Sequence, residues 1–187
     1  MNSHSPDFIA DMLIHLGRAA SARPDGYSLS PAQWSALRFF AHSNRLSRTP
    51  SAFASFQNTT RGTASQTVKS LVTAGYLERC QAQKDRRSVE FALTNAGRAL
   101  LTDDPAVSLS RSIDGLSGTE REDFCRTLLA LSHNLDQVRQ APVFGSCETC
   151  GFFQPDANSP GSGHCAATGT QLTADDTGRL CCQFTPA

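Results

Sequence analysis

Apolar residues recur at helical spacing from the start of the chain. Phe8, Ile9, Met12, Leu13 and Leu16 lie on one face and predict an amphipathic helix over 7–22. ARPDGY ends it. A second helix opens at SPAQW: Ser30 can cap, Pro31 suits the first helical position, and Gln33 completes a capping box. Trp34, Leu37 and Phe40 mark its buried face. TPSAFASF repeats the start signal, with Thr49 as cap and Pro50 first inside. A third segment, TTRGTASQTVKSLVTAG, has Thr60 as cap, Ala64, Val68, Leu71 and Val72 as apolar face, and Gly75 as stop. The period then changes to two. YLERC, the polar turn AQKDRR and SVEFAL predict a hairpin in which Val89, Phe91 and Leu93 alternate with small or polar residues. Thr94 starts a helix through NAGRALL. Ser117 and Glu120 form another capping box and open a long helix with Phe124, Leu128, Leu131, Leu135 and Val138 on one face. It ends near Gln140, and APVFGS reads as a linker.

Composition adds little to this picture. The chain has 187 residues, 39% hydrophobic and 18% charged, enough for one domain and an appendage. Its start has no long apolar run or basic lead, and no stretch reaches the roughly 18–20 apolar residues of a membrane span. A cytoplasmic protein without membrane attachment is expected, and no residue constellation suggests an enzyme. Net charge is zero, but its distribution is uneven. Between Arg45 and Glu90 there are eight Lys/Arg and three Asp/Glu, whereas 147–187 holds four Asp/Glu and one Arg. A basic middle suits a phosphate backbone.

Short helices followed by a hairpin form the winged helix-turn-helix arrangement, in which one helix enters the DNA major groove and the wing reaches the flanking backbone or minor groove. The polar face of the third segment offers Arg61, Thr63, Ser65, Gln66 and Lys69, and the hairpin tip offers Lys84, Arg86 and Arg87. Either set alone could be an ordinary solvated face; their order along the chain favours DNA. LSPAQWSALRFF, TTRGTASQTVKSLVTAGYLER and KDRRSVEFALTNAGRALL together resemble the MarR family of bacterial transcription regulators. Asp85 and Arg87 match its Asp-x-Arg wing signature, and Leu93, Thr94, Ala96, Gly97 and Arg98 match its post-wing LTxAGR. The resemblance covers 7–140. It implies a homodimer, joined through the terminal helices, on a double-stranded pseudopalindromic operator. NRLSRTPSAFASFQN departs from the family in being poorer in aliphatic residues. Many members bind a small ligand, but no such pocket is legible here: Trp34, Phe39 and Phe40 read as core.

The last 41 residues pose a different problem. They hold five of the seven cysteines and little that is large and apolar beyond Phe152, Phe153, Leu172, Leu180 and Phe184. Such a segment rarely folds without staples or metal, and metal binding supplies folding free energy. Zinc is the commoner thiolate metal, but only Cys147-x2-Cys150 is a knuckle; the other ligands come singly on long loops, which suits a cubane cluster. CETCGFF, GHC and CCQF resemble the cysteine and aromatic pattern of high-potential iron–sulfur proteins. That resemblance, over 147–184, implies a [4Fe-4S] cluster on Cys147, Cys150, Cys165 and Cys181, with Cys182 as the alternative fourth ligand. Zinc remains the alternative metal, with His164 able to join three cysteines. Cys80 and Cys125 read as small apolar residues.

The expected fold is therefore mainly α with a small β-hairpin wing: a winged helix-turn-helix dimer over 1–140, a linker at 141–146, and a small cysteine-rich, metal-dependent module over 147–187. The expected function is transcriptional regulation, most simply repression, with the cluster sensing redox state, oxygen or iron. The alternative is the same type of regulator with structural zinc and another signal; an electron-transfer or enzyme subunit is the third reading. The linker holds the module close, and its acidity should place it on the dimerisation helices, away from DNA.

Overall fold

The computed structural model describes residues 4–21, 29–81, 89–139 and 141–187. Helix α1, Pro6–Ala20, is capped by Ser5 and buries none of its residues. Helix α2, Pro31–His42, has the expected capping box: Gln33 N–H donates to Ser30 Oγ at 3.3 Å, and Ser30 N–H donates to Gln33 Oε1 at 2.8 Å. A 3-10 turn at Arg45–Ser47 leads to α3, Pro50–Phe56, and then α4, Arg61–Thr73. Thr49 and Thr60 cap these two helices, each accepting a backbone N–H at 3.1 Å. Between them the chain turns at Asn58 (φ 50°), a left-handed conformation that Asn tolerates. Gly75 (φ 78°) ends α4 as anticipated.

Strands β1, Leu77–Gln81, and β2, Val89–Leu93, pair antiparallel, with Leu77 opposite Leu93. Thr94 ties the hairpin base to α4 by donating its hydroxyl to Gly75 O at 2.7 Å, and it caps α5, Asn95–Leu100. Helix α6, Val107–Asp114, was not legible in the sequence: it is short and has no side-chain cap. Helix α7 spans Gly118–Arg139, with the Ser117–Glu120 box at its start.

The main core lies beneath α2, α3, α4 and the hairpin, around Leu37, Phe39, Phe40, Phe53, Val68 and Leu71. Phe39 meets the rings of Phe40, Phe53 and Phe56 at centroid distances of 5.4, 5.5 and 5.1 Å. Each such pair contributes about 0.5–1.5 kcal/mol beyond area burial. Aromatic stacking thus supplies packing that the aliphatic-poor α3 lacks. Helices α1 and α7 differ sharply from this core. Neither buries a residue, and Ile9, Ile14, Leu16, Leu131, Leu135 and Val138 stand exposed.

The cysteine-rich segment folds as a 3-10 turn at Cys147–Thr149, a sheet of β3 (Phe153–Pro155), β4 (Gly163–Cys165) and β5 (Thr170–Leu172), and the short α8 (Ala174–Thr177). Its principal hydrogen bonds to the rest of the chain run to residues 41–47, at the end of α2. Leu180 N–H donates to His42 O and Asn44 N–H to Leu180 O, both at 2.9 Å. Arg45 pairs with Asp176 at 3.4 Å, and Cys182 N–H donates to Ser47 Oγ at 2.8 Å. The segment also lines a cavity with Cys125 and Leu129 of α7, so it lies beside that long helix as well. Phe144, in the stretch read as linker, packs edge-on to Phe56 at 5.2 Å and joins the main core.

Candidate nucleic-acid interface and cysteine site

Helix α4 divides cleanly. Ala64, Val68 and Leu71 are buried, while Arg61, Thr63, Ser65, Gln66 and Lys69 are all exposed. The helix start presents donors and acceptors, because Arg61 is its first residue and Thr60 its cap. Thr63 is partly committed: its hydroxyl lies 2.9 Å from that of Thr60. Gln33 Nε2 donates to Ser70 Oγ at 3.0 Å and fixes the far end of the helix to α2. The wing residues Lys84, Asp85, Arg86 and Arg87 lie outside the described residues. The strands that lead to them are anchored to the lobe, since Phe91 N–H donates to Arg48 O at 2.9 Å.

All seven cysteines are free thiols. Cys147, Cys165 and Cys181 are buried, and Cys150 is half-buried. Burial pushes the Cys147 thiol up to about 11, and the proximity of Cys181, Cys150 and Cys165 pushes the same way. The 3-10 turn, strand β4 and the final bridge residue thus bring these four side chains within electrostatic reach of one another. Cys182 turns aside. Its Sγ lies 3.7 Å from Leu46 O, and it packs on the main core. Cys80 is half-buried on β1, and Cys125 is exposed on α7. His164 sits opposite Gln154 and Gln171 in the small sheet.

The surroundings of the four thiols are tightly packed. Cys165 is the register partner of Phe153. A Cβ at Gly163 would overlap the carbonyl of Gln154 and approach the Phe153 ring at 2.6 Å; one at Gly145 would meet the Phe184 ring at 2.7 Å. Neither glycine position leaves room for a side chain. Backbone N–H of Gln183 donates to Cys181 Sγ at 3.4 Å. Burial raises the Cys181 pKa, while the Asn44 side chain and Gln183 N–H lower it by hydrogen bonding. A free, mutually close set of four thiols with amide donors fits a thiolate-bound cluster. Among the described residues no three His, Cys, Asp or Glu side chains converge as a single-ion site. One tetrahedral zinc, at about 2.3 Å from each sulfur, would require them about 3.8 Å apart.

Asp176 joins the segment to the lobe. Burial pushes its carboxyl up, but hydrogen bonds from Thr173 and Arg45 and the charge of Arg45 outweigh that and hold it low. The Thr173–Asp176 capping box is a readable T-x-x-D signal that the sequence reading missed; Asn44, Ser47 and Arg45 had no local signal at all. An open cavity of about 780 Å³ runs between Leu129 and Cys125 of α7, His42 of α2, and Arg179. Nothing in the sequence pattern marked it.

The architecture is that of a winged-helix protein, mainly helical with a small hairpin. Residues 27–88 match the MarR family model, covering α2 through the start of the wing. Among solved structures, transcriptional regulator PA3341 is 23% identical with a TM-score of 0.57, over 70% of this chain and 97% of that one. The S. aureus MepR–DNA complex is 18% identical with a TM-score of 0.55, over 72% and 99%. A MarR transcriptional regulator from Methanosarcina mazei Go1 is 19% identical with a TM-score of 0.53, over 71% and 99%. These likenesses establish the fold and leave more than a quarter of this chain unmatched. No curated protein matches the sequence. Among the described residues no helix is long and apolar enough to cross a membrane.

Proposed function

We propose that the protein is a MarR-type transcriptional regulator that binds a double-stranded, pseudopalindromic operator as a homodimer and carries a [4Fe-4S] cluster on Cys147, Cys150, Cys165 and Cys181. The DNA-binding part rests on α4: a recognition helix, in a segment that matches the family model, with its buried face fully used and its polar face free. The MepR neighbour was solved bound to DNA, which supports the same use of this fold here. The dimer rests on α1 and α7, whose apolar faces stay exposed among the described residues. A second copy would cover both at once.

The cluster rests on the gathering of four free thiols from separate elements, with Gln183 N–H donating to Cys181 Sγ and Phe153 packed against Cys147 and Cys165. Cys182, spent on the lobe core, is disfavoured as the fourth ligand. When bound, the cluster would supply one-electron redox chemistry and sensitivity to oxygen. The chain's own part is to hold four deprotonated sulfurs, shield them with Phe153, and link the site to the lobe through residues 42–47. Zinc is the competing occupant. Anaerobic purification with iron, zinc and acid-labile sulfide analysis tests the reading. Near-stoichiometric zinc without sulfide would replace the cluster with a structural site. Full iron after Cys181→Ser, with loss after Cys182→Ser, would shift the ligand by one.

A further inference from the structure

Another cavity, of about 320 Å³, opens at the base of the wing, where three parts of the chain meet. Phe40 of α2 and Leu93 of β2 line it with Arg48, Arg98, and Asp175 and Arg179 of the cysteine segment. Leu93 pairs with Leu77 at the end of the hairpin farthest from its tip, and no residue of α4 lines the cavity. Three guanidiniums and one carboxylate leave the lining two positive charges in excess. Asp175 pairs with Arg179 at 2.6 Å. No ion pair among the described residues includes Arg48 or Arg98. Neutral oxygens hold these two instead. Arg48 Nε donates to Ser43 O at 3.2 Å. Arg98 donates from one terminal nitrogen to Leu93 O at 2.7 Å and from the other to Asn95 Oδ1 at 2.9 Å. Arg179 donates from Nε to Asp175 O at 2.8 Å and from a terminal nitrogen to Ala41 O. A guanidinium has five N–H donors, so each of the three is anchored and still keeps donors to offer. Like charges gathered in a partly enclosed cleft focus a field that draws in an anion.

We propose that this cavity binds a small phosphate monoester, held between Arg48 and Arg98 of the lobe and Arg179 of the cysteine segment. A phosphate monoester carries close to two negative charges at neutral pH, which matches the excess on the lining. The planar guanidinium fork suits phosphate oxygens, which accept two parallel N–H donors at once. Phe40 and Leu93 give the cavity an apolar floor, and its volume admits only a compact organic body. An anion there ties the segment to the wing, because Arg48 O accepts the Phe91 N–H of β2 at 2.9 Å. The site does not depend on what the four thiols hold.

The experiment uses the full chain, purified anaerobically in phosphate-free buffer, and compares wild type, Arg48→Gln, Arg98→Gln, Asp175→Asn and Arg111→Gln. Arg111 is exposed on α6, outside the cavity, and controls for net charge. Calorimetric titrations use glycerol phosphate, inorganic phosphate and, as the neutral control, glycerol. Wild type should bind both phosphates, glycerol phosphate the tighter, and should not bind glycerol. Arg48→Gln and Arg98→Gln should each weaken binding by about ten-fold or more, the worth of a hydrogen bond to a charged group. Asp175→Asn should tighten binding several-fold, because it removes the one carboxylate of the lining; a misfolded variant would not gain affinity. Arg111→Gln should match wild type. Absence of binding to wild type at millimolar phosphate overturns the proposal. So does an equal loss in Arg111→Gln, which would make the effect one of overall charge. Should Arg98→Gln melt early, the other two cavity variants decide, and unchanged affinity in both overturns the proposal. Displacement of the bound phosphate by a non-specific DNA duplex, with duplex affinity lost in Arg48→Gln, would make the cavity a DNA-backbone contact and overturn it too.

Discussion

Gly97 shows how much one residue can decide. A side chain there would run into the carbonyl of Tyr76, so α5 crosses the hairpin base only because this position has no Cβ. Backbone cannot give way as a flexible side chain can. Gly97→Ala should cost about 1–3 kcal/mol, the usual cost of overpacking, read as a lower midpoint in denaturant at unchanged slope. A midpoint equal to wild type would mean that the close approach is not maintained in solution. The motif that includes this glycine was visible in the sequence, but the reason for it was not, since Tyr76 is 21 positions away. The same holds for Asn44, a polar residue in a loop by sequence and completely buried in the fold.

At the scale of elements, the proposed function falls on α4 and its coupling on the end of α2. Gln66 and Lys69 share the exposed face of α4 but should fail differently. Gln66→Ala should cost about 1–3 kcal/mol on the operator and relax the preference at one base pair. Lys69→Ala should weaken specific and non-specific DNA alike and reduce the salt slope by about one. Anisotropy titrations at several salt concentrations separate the two; identical behaviour of the pair would remove base reading from Gln66. The end of α2 responds to acid. Burial holds the His42 imidazole below its ordinary 6.5, Arg179 adds to this, Asp104 opposes it and Arg38 adds again. The folded chain therefore prefers neutral His42. The stabilisation is present above about 6.5 and fades as pH falls through the lower folded value, because the unfolded chain takes up the proton first. Because His42 O also receives Leu180 N–H, protection of the Leu180 and Asn44 amides, corrected for intrinsic exchange, should drop between pH 7.5 and 5.5. His42→Gln should flatten that drop, and an equal drop in the variant would assign it to another group.

For the whole molecule, the cysteine segment sits where it can bear on DNA reading. It clamps residues 41–47, which connect α2 to the α3–α4 pair, and it reaches the main core through Phe144 and Cys182. Operator binding by a dimer requires half-sites about one helical turn apart, roughly 10–10.5 bp, so any change in how the two lobes are held alters affinity. A cluster on the proposed site could shift that equilibrium only through contacts that differ between its states, and residues 41–47 are the contacts through which it would act. On the proposed function, cluster-free protein and Cys150→Ser should both differ from the loaded form by something like 5–150-fold on one operator at one salt concentration. Equal affinities for all three would make the cluster structural or a partner site. Sedimentation at micromolar concentration should give a dimer, and charge placed at Leu131 and Leu135 should dissociate it.

The local architecture was written in the sequence. Caps at Ser30, Thr49, Thr60, Thr94 and Ser117, the stop at Gly75 and the change of period at the hairpin are short-range signals, satisfied by backbone groups within a few residues. The exposed polar face of α4 and the cysteine spacing were legible for the same reason. Tertiary structure alone decided the rest. It set Phe144 into the lobe core, placed α6, and turned Cys182 inward while bringing Cys181 toward the other three thiols. It also seated the acidic segment on 41–47, beside α7. Those outcomes depend on which distant backbone groups and apolar surfaces remain unpaired once the helices have formed, and no window along the chain contains both partners.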